Sequence, residues 1–209
     1  VFLFCNLPFS WKTNQMPVQK IAAALNKAFL KVKPNRSQIE AFKLNLIQLL
    51  DRANEEESEE FHKTLARDFL KKTYYDPQHF INTKGRNDLV IHNGNKATSA
   101  VGVIIEAKKP SNKSGMLSTK KLNVKALHEL LLYFLRERIS EKNVDLKNLI
   151  ATNLYEWFVF DANEFEKLFA QDKKLVKQFE DFEAGMRSGQ NSVFFYREIA
   201  TPAIAKVEA

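Results

Sequence analysis

A carboxylate and an amine stand two residues apart, as Glu106 and Lys108, at the close of the apolar run "VGVIIEAKKP" (101–110). Side chains on a strand alternate between its faces, so Glu106 and Lys108 point the same way while Ile105 and Ala107 turn into packing. Upstream, Asp88 heads a second apolar run, "DLVIH" (88–92), and the loop between the two contains Asn93-Gly94, a hairpin signal. Paired as a hairpin, the two strands would bring Asp88 and Glu106 to one end of a sheet. Close carboxylates repel each other unless a proton or a cation is shared between them. Magnesium suits such a pair, because it takes oxygen ligands and is usually held by one or two carboxylates plus a substrate phosphate. The expected ligands are therefore Asp88, Glu106 and the carbonyl of Ala107, with manganese able to substitute. Lys108 beside them would orient and help deprotonate an attacking water, or neutralise a pentavalent transition state. A metal there lowers the pKa of water and polarises phosphate, which is an arrangement for hydrolysing a phosphodiester. The bland reading of the same residues is a surface ion pair at a strand end, worth little.

Those two strands need elements to position them. The spacing over 18–33 predicts a helix that stops before Pro34. Ser37 with Glu40 three residues on reads as a capping box opening a second helix, with Ile39, Phe42, Leu46, Leu49 and Leu50 as its apolar stripe. The acidic run "EEESEE" (55–60) opens a third helix through about Lys72, with Phe61, Leu65 and Phe69 on its buried face. Short strands are expected at 79–83, 88–92 and 101–108. A polar loop after Lys108, read as mobile, leads to an apolar helix over 124–139. Strands at 148–152 and 156–161 precede helices at 163–170 and 172–187, and "FFYREIATPAI" is ambiguous. Three early strands suit an antiparallel meander, and the 124–139 helix suits a crossover to a further strand. The expected fold is α/β: a mixed sheet covered by helices on both faces.

Charge marks the same region. The net charge of +7 is carried entirely by residues 81–125, which hold nine basic residues and two acids. This reads either as a lysine-decorated soluble loop or as a surface that tracks phosphates around the two carboxylates. On the second reading Lys84, Arg86, Lys109 and Lys113 are the candidate contacts to DNA. The helix at 124–139 is apolar nearly all round, yet Glu129, Tyr133 and Arg136 share one face. That stripe either supports the metal site and the DNA backbone or simply faces solvent. Glu60 could reach the site from the start of the third helix, although a plain solvated helix start is the weightier reading. His62, His79 and His92 have no metal-ligand spacing.

Together, "NDLVI" (87–91) and "IIEAKKP" (104–110) resemble the bipartite nuclease motif PD-(D/E)xK, with Asn87 in place of the proline. The resemblance implies metal ligation by Asp88 and Glu106, with Lys108 as the catalytic lysine. In many such nucleases the next helix bears glutamine or glutamate and, four residues on, tyrosine, as Glu129 and Tyr133 do here. Longer stretches, among them "EEFHKTLARDFLKKTYYDP", "NVKALHELLLYFLRERI" and "TNLYEWFVFDANEFEKLFA", resemble the N-terminal nuclease domain of type IIG restriction–modification enzymes. His128 stands where that family would have glutamine. The resemblance implies a restriction-endonuclease-like fold, with residues 1–35 as an N-terminal extension and 36–209 as the nuclease domain. It implies double-stranded DNA as substrate and a methyltransferase and specificity module acting in cis or in trans. S-adenosylmethionine would enter only through that module, since no Asn-Pro-Pro-Tyr motif or glycine-rich cofactor loop is present. Cutting both strands would call for dimerisation or sequential nicks. The rival classes are a non-catalytic nucleic-acid-binding or assembly module of the same fold, against which the intact Asp88, Glu106 and Lys108 argue, and a free-standing DNA-repair nuclease.

Bulk properties agree with an ordinary soluble globular domain. The chain has 209 residues, 44% hydrophobic and 27% charged, enough for one domain with a core. No apolar run approaches the roughly 20 residues that span a bilayer, so no membrane partner is expected. "VFLFCNLPFSW" at the start has no basic residue ahead of it and does not read as a signal peptide. The single cysteine, Cys5, excludes an internal disulfide and a cysteine-based metal site, and suits a reducing cytoplasm, which the resemblance to restriction–modification enzymes implies is bacterial.

Overall fold

The computed structural model describes residue 16 and residues 19–25, 27–84, 89–185 and 191–208. Five strands form one mixed sheet in the order β1 (Ile81–Asn82), β2 (Leu89–His92), β3 (Val101–Ala107), β4 (Asn148–Thr152) and β5 (Trp157–Asp161). The first three make an antiparallel meander, with Leu89 opposite Ile105 and Val90 opposite Ile104. β3 then pairs parallel with β4, Glu106 opposite Ala151, and β4 antiparallel with β5. The parallel pair needs a crossover, and an apolar helix supplies it.

Among the described residues, eight α-helical segments flank the sheet: α1 (Ile21–Ala24), α2 (Arg36–Arg52), α3 (Glu59–Leu70), α4 (Lys125–Leu135), α5 (Ala162–Phe165), α6 (Lys173–Glu183), α7 (Ser192–Phe194) and α8 (Thr201–Glu208). Strand alternation sorts them onto two faces. Leu89, Ile91, Ile105 and Ile150 point toward α2 and α3, where Leu49, Leu65, Ala66 and Phe69 meet them. Val90, Ile104, Leu149 and Ala151 point the other way, onto α4 and the C-terminal helices, through Leu127, Leu130, Leu131, Phe134, Phe165 and Phe195. Each fully buried Leu, Ile or Phe contributes on the order of 1.5–3 kcal/mol. β3 is therefore apolar on both faces until Glu106.

Several boundaries differ from the sequence reading. The helix expected over 18–33 shrinks to α1 and a 3₁₀ turn at Phe29–Lys31. Leu30 and Val32 are 56% and 66% exposed, so the apolar spacing there finds no surface to pack on, and a short helix without packing is marginal. The cap of α2 is Asn35, not Ser37. Its side chain accepts from the Gln38 N–H while the Gln38 side chain accepts from the Asn35 N–H, both at 2.9 Å. Two overlapping capping patterns exist there, and the Ser37 hydroxyl donates to Asn35 Oδ1 instead. Residues 194–204, ambiguous in sequence, are helical. Pro202 has no N–H to donate, and the turn before it, Phe195–Ala200, widens to π geometry.

The loop after Lys108 is the largest departure, because it is held rather than mobile. Met116 and Leu117 are buried against α4, Ser118 and Lys121 exchange backbone hydrogen bonds at 3.0 and 3.2 Å, and Glu208 of α8 accepts from the N–H groups of Leu122 and Asn123, both at 2.7 Å. No helix among the described residues is long and apolar enough to cross a membrane.

Candidate active site

Lys108 is the first residue past β3, and its own N–H still donates to the Thr152 carbonyl at 2.7 Å. That bond keeps Glu106 and Lys108 on the α4 side of the sheet, below the crossover helix. Both side chains are 1% exposed. The ammonium Nζ lies 2.5 Å from Glu106 Oε1, 2.7 Å from Glu129 Oε2 on α4, and 3.4 Å from Glu59 Oε1 in the first turn of α3. Glu59 Oε2 also accepts from the Lys109 N–H at 3.4 Å. Three carboxylates carried by three different elements thus meet one buried lysine.

Burial by itself would lower the pKa of that lysine. The charges of Glu106 and Glu129, and their hydrogen bonds, outweigh burial and hold the group above the ordinary lysine value. That favours the ammonium form of Lys108, which donates and neutralises. Of the two roles open from sequence, charge neutralisation and orientation fit this environment.

Among the described residues, three carboxylates face one buried ammonium, which leaves this group negative. Lys125 lies 3.6 Å from Glu129 Oε1 at the more exposed edge. A surplus of buried carboxylate oxygen is the setting that suits a hard divalent cation. Among the described residues no three His, Cys, Asp or Glu side chains stand at ligating spacing. Asp88, the second expected ligand, and Arg86 lie outside the described residues. The register of Leu89 against Ile105 does bring the start of β2 to the end of β3 that carries Glu106. Ala107 is buried and pairs with Thr152 in the ladder.

Not every expected side chain gathers there. Glu60 points away and pairs with Lys63 in the next turn, with its side chain 70% exposed, and the carboxylate that reaches the site is Glu59, one residue earlier. Arg136 pairs with Glu183 of α6 at 2.8 Å, whereas Tyr133 is buried one turn beyond Glu129 on α4. Lys84 is committed to the buried Glu137 at 2.6 Å, so its ammonium neutralises the end of the crossover helix instead of standing free for phosphate. Lys113 is exposed, and Lys109 is half-buried. His62, His79 and His92 make structural bonds, to the carbonyls of Ser58, His92 and Ser99.

One further residue, without a sequence signal, joins this region. Tyr196, in the widened turn before α8, packs its ring against His128 with centroids 6.0 Å apart. Burial first, and then the negative charge of Glu129, push its phenol up to about 12, so it stays protonated and a donor at any working pH. His128 itself turns from the cluster, its Nε2 2.7 Å from Asn123 Oδ1. Asn123 in turn donates to the Thr201 carbonyl at 2.9 Å, tying α4 to α8.

A family described as a domain of unknown function, DUF7149, matches residues 19–209. The chain belongs to that family. Glu59, Glu106, Lys108, Glu129 and Tyr196 all fall within the matched span. Neither the curated proteins nor the solved structures contain a match.

Proposed function

We propose that this chain is a magnesium-dependent DNA endonuclease domain of the PD-(D/E)xK type, with a restriction-endonuclease-like fold. The observation that carries the reading is the Glu106–Lys108 pair, held on one face at the end of β3 beneath Glu129 of the crossover helix. A meander, a crossover and a parallel partner strand supply the framework such a site needs. The donor set is all oxygen and carries surplus negative charge, so it fits magnesium, with manganese as a substitute. Asp88, Glu106 and the Ala107 carbonyl would hold the ion. Bound there, it would supply a Lewis acid to the phosphoryl group and acidity to the attacking water.

The chain's own groups do the rest. Lys108, fixed as an ammonium, neutralises charge growing on the phosphoryl oxygens, a task that suits a compact point charge. Glu129 and Glu59 hold that ammonium in place from two sides. Tyr196 offers a phenolic donor near the same carboxylates. Base readout would come from a methyltransferase and recognition module of a type IIG-like restriction–modification system, in cis or in trans, which would also bind S-adenosylmethionine. One site per chain would cut both strands through dimerisation or successive nicks, within a bacterial cytoplasm.

Nicking of supercoiled plasmid in magnesium and in manganese tests this reading, with Glu106→Gln alongside. Metal-dependent nicking by the native chain, reduced at least about 100-fold in the variant, is expected. Undiminished cutting by Glu106→Gln would refute the site. Absence of nicking by the native chain, with no heat of divalent-metal binding in calorimetry, would refute the function.

A further inference from the structure

The chain between β3 and α4 leaves the charged cluster and returns to it. It begins beyond Lys108 and ends at α4, where Lys125 lies 3.6 Å from Glu129. Residues 109–125 hold five lysines (Lys109, Lys113, Lys120, Lys121 and Lys125) and no aspartate or glutamate. Lys113, Lys120, Lys121 and Lys125 are exposed. Among the described residues, Lys125 is the only one of the five whose side chain is in an ion pair.

An acid-free run of lysines repels itself and would open into solvent if nothing held it. Here the backbone is fixed along its length. Asn112 Oδ1 accepts from the Gly115 N–H at 3.1 Å, and the Gly115 carbonyl accepts from Ala126 at 3.0 Å. Met116 and Leu117 are 5% and 3% exposed and anchor the middle. The reciprocal bonds of Ser118 and Lys121 close a tight turn with Thr119 and Lys120 at its tip and Lys121 at its base. The Glu208 carboxylate binds the N–H groups of Leu122 and Asn123. Like charges held in a fixed arrangement raise the energy of the free protein, and a polyanion laid across them lowers it.

Composition narrows the polyanion. Residues 109–125 contain no Phe, Trp or Tyr, so they offer no platform on which unpaired bases could stack, as single-strand binders do. Of the arm's methionine and leucine side chains, Met116 and Leu117 are turned into the core and Leu122 packs partly buried against it, so the arm presents no wedge to a bilayer. It contains lysine and no arginine, which suits point contacts to phosphate and not bidentate reading of bases. Resting on the reading of the adjacent cluster as a DNA hydrolase, we propose that residues 109–125 form a preshaped arm that seats the sugar–phosphate backbone of duplex DNA beside Glu106 and Lys108, with Lys113, Lys120 and Lys121 as contacts and Glu208 fixing the arm's shape.

Fluorescence anisotropy of the full chain with a short labelled duplex, without divalent metal, tests this across a potassium chloride series. Each phosphate contact contributes about 0.9 to the slope of log affinity against log salt, so Lys120→Ala/Lys121→Ala lowers the slope by about 1.8. Lys173→Ala/Lys174→Ala, exposed on α6, leaves it unchanged. Glu208→Ala keeps the lysines but loosens the arm, so affinity falls while the slope stays near native. Thermal unfolding confirms that each variant is folded. An unchanged slope in the Lys120/Lys121 variant, an equal fall in the α6 control, or undiminished affinity in Glu208→Ala would overturn the proposal. So would single-stranded DNA or phosphatidylserine vesicles binding as tightly as the duplex. The site reading is separable: if these slopes hold but the native chain never nicks, the cluster reading fails and the arm stands. If nicking requires Glu106 but the slopes do not move, the arm fails and the cluster stands.

Discussion

Replacing Lys108 with methionine removes its buried ammonium from the cluster and keeps the side-chain volume nearly constant. Glu106, 1% exposed, then loses its ammonium partner at 2.5 Å, and Glu129 loses its partner at 2.7 Å. Removing one member of a buried ion pair typically destabilises by about 3–5 kcal/mol, because the remaining charge has neither water nor partner. A chain of this size shifts its melting temperature by roughly 2–4 °C per kcal/mol, so a fall of roughly 6–20 °C is expected. The deficit depends on pH in a defined direction. In the variant, buried Glu106 deprived of the Lys108 ammonium has its pKa raised above the unfolded value. The unfolded chain then releases its proton first, so the added penalty is absent below the unfolded carboxylate pKa of about 4.3 and grows as pH rises above it. Urea unfolding of the native chain and of Lys108→Met at several pH values reads this directly. The double variant Lys108→Met/Glu106→Gln removes the stranded charge and recovers at least about half of the loss, a coupling expected of residues in contact. A loss under about 1 kcal/mol at neutral pH, or no recovery in the double variant, would show that the cluster is screened by water and refute the reasoning.

Glu59 and Glu60 are neighbours in sequence with opposite expectations. Glu59→Gln, which weakens the third contact to Lys108, lowers plasmid nicking several-fold, whereas Glu60→Gln, paired only with Lys63 at the surface, leaves the rate within twofold; equal effects would count against the geometry. His128 makes a separate test by acid. Burial lowers its pKa below the ordinary 6.5, so the stability it contributes is complete above pH 6.5 and is lost as pH falls through the lowered value. Replacing it with glutamine removes this protonation step, so the chain's stability should fall less steeply below pH 6.5; an unchanged pH profile by thermal unfolding would contradict that assignment.

What the sequence discloses, and what it hides, follows the range of the interactions involved. The strands could be read because β2 and β3 are continuous branched-apolar runs, and alternation alone puts Glu106 and Lys108 on one face. Glu129 could be read because a carboxylate inside "LHELLLYFL" must answer to something. Glu60 was the residue named at the start of the third helix and Glu59 was missed, since adjacent helical positions differ by about 100° and the deciding rotation is tertiary. A signal existed: Glu59 lies three and seven residues before His62 and Ala66, both fully buried, so it shares the helix face that meets the sheet. The stripe drawn through Phe61 was centred one residue away. Tyr196 gave no local signal, because its place depends on the C-terminal helix folding back onto α4, nearly seventy residues upstream. The arm at 109–125 looked like a free loop for the same reason, as the carboxylate that fixes it, Glu208, comes from α8.

These placements change how the site should be probed. Lys108 holds Glu106 and Glu129 together, so an alanine there would abolish nicking whether the lysine acts on phosphate or merely keeps the cluster closed. Loss of activity in Lys108→Ala would therefore not discriminate between chemistry and folding. Glu106→Gln is the more informative change. It keeps shape and hydrogen-bonding atoms, leaves Lys108 paired with Glu129 and Glu59, and removes a single charge. If Glu106 serves only to balance the lysine, two carboxylates remain to do so, and nicking should persist. If it serves as a ligand oxygen for a cation, the amide is a poor substitute, and both divalent-metal binding and nicking should fall together while the melting temperature stays near native. The number of carboxylates around Lys108 exceeds what one ammonium needs, and that excess makes the two outcomes separable.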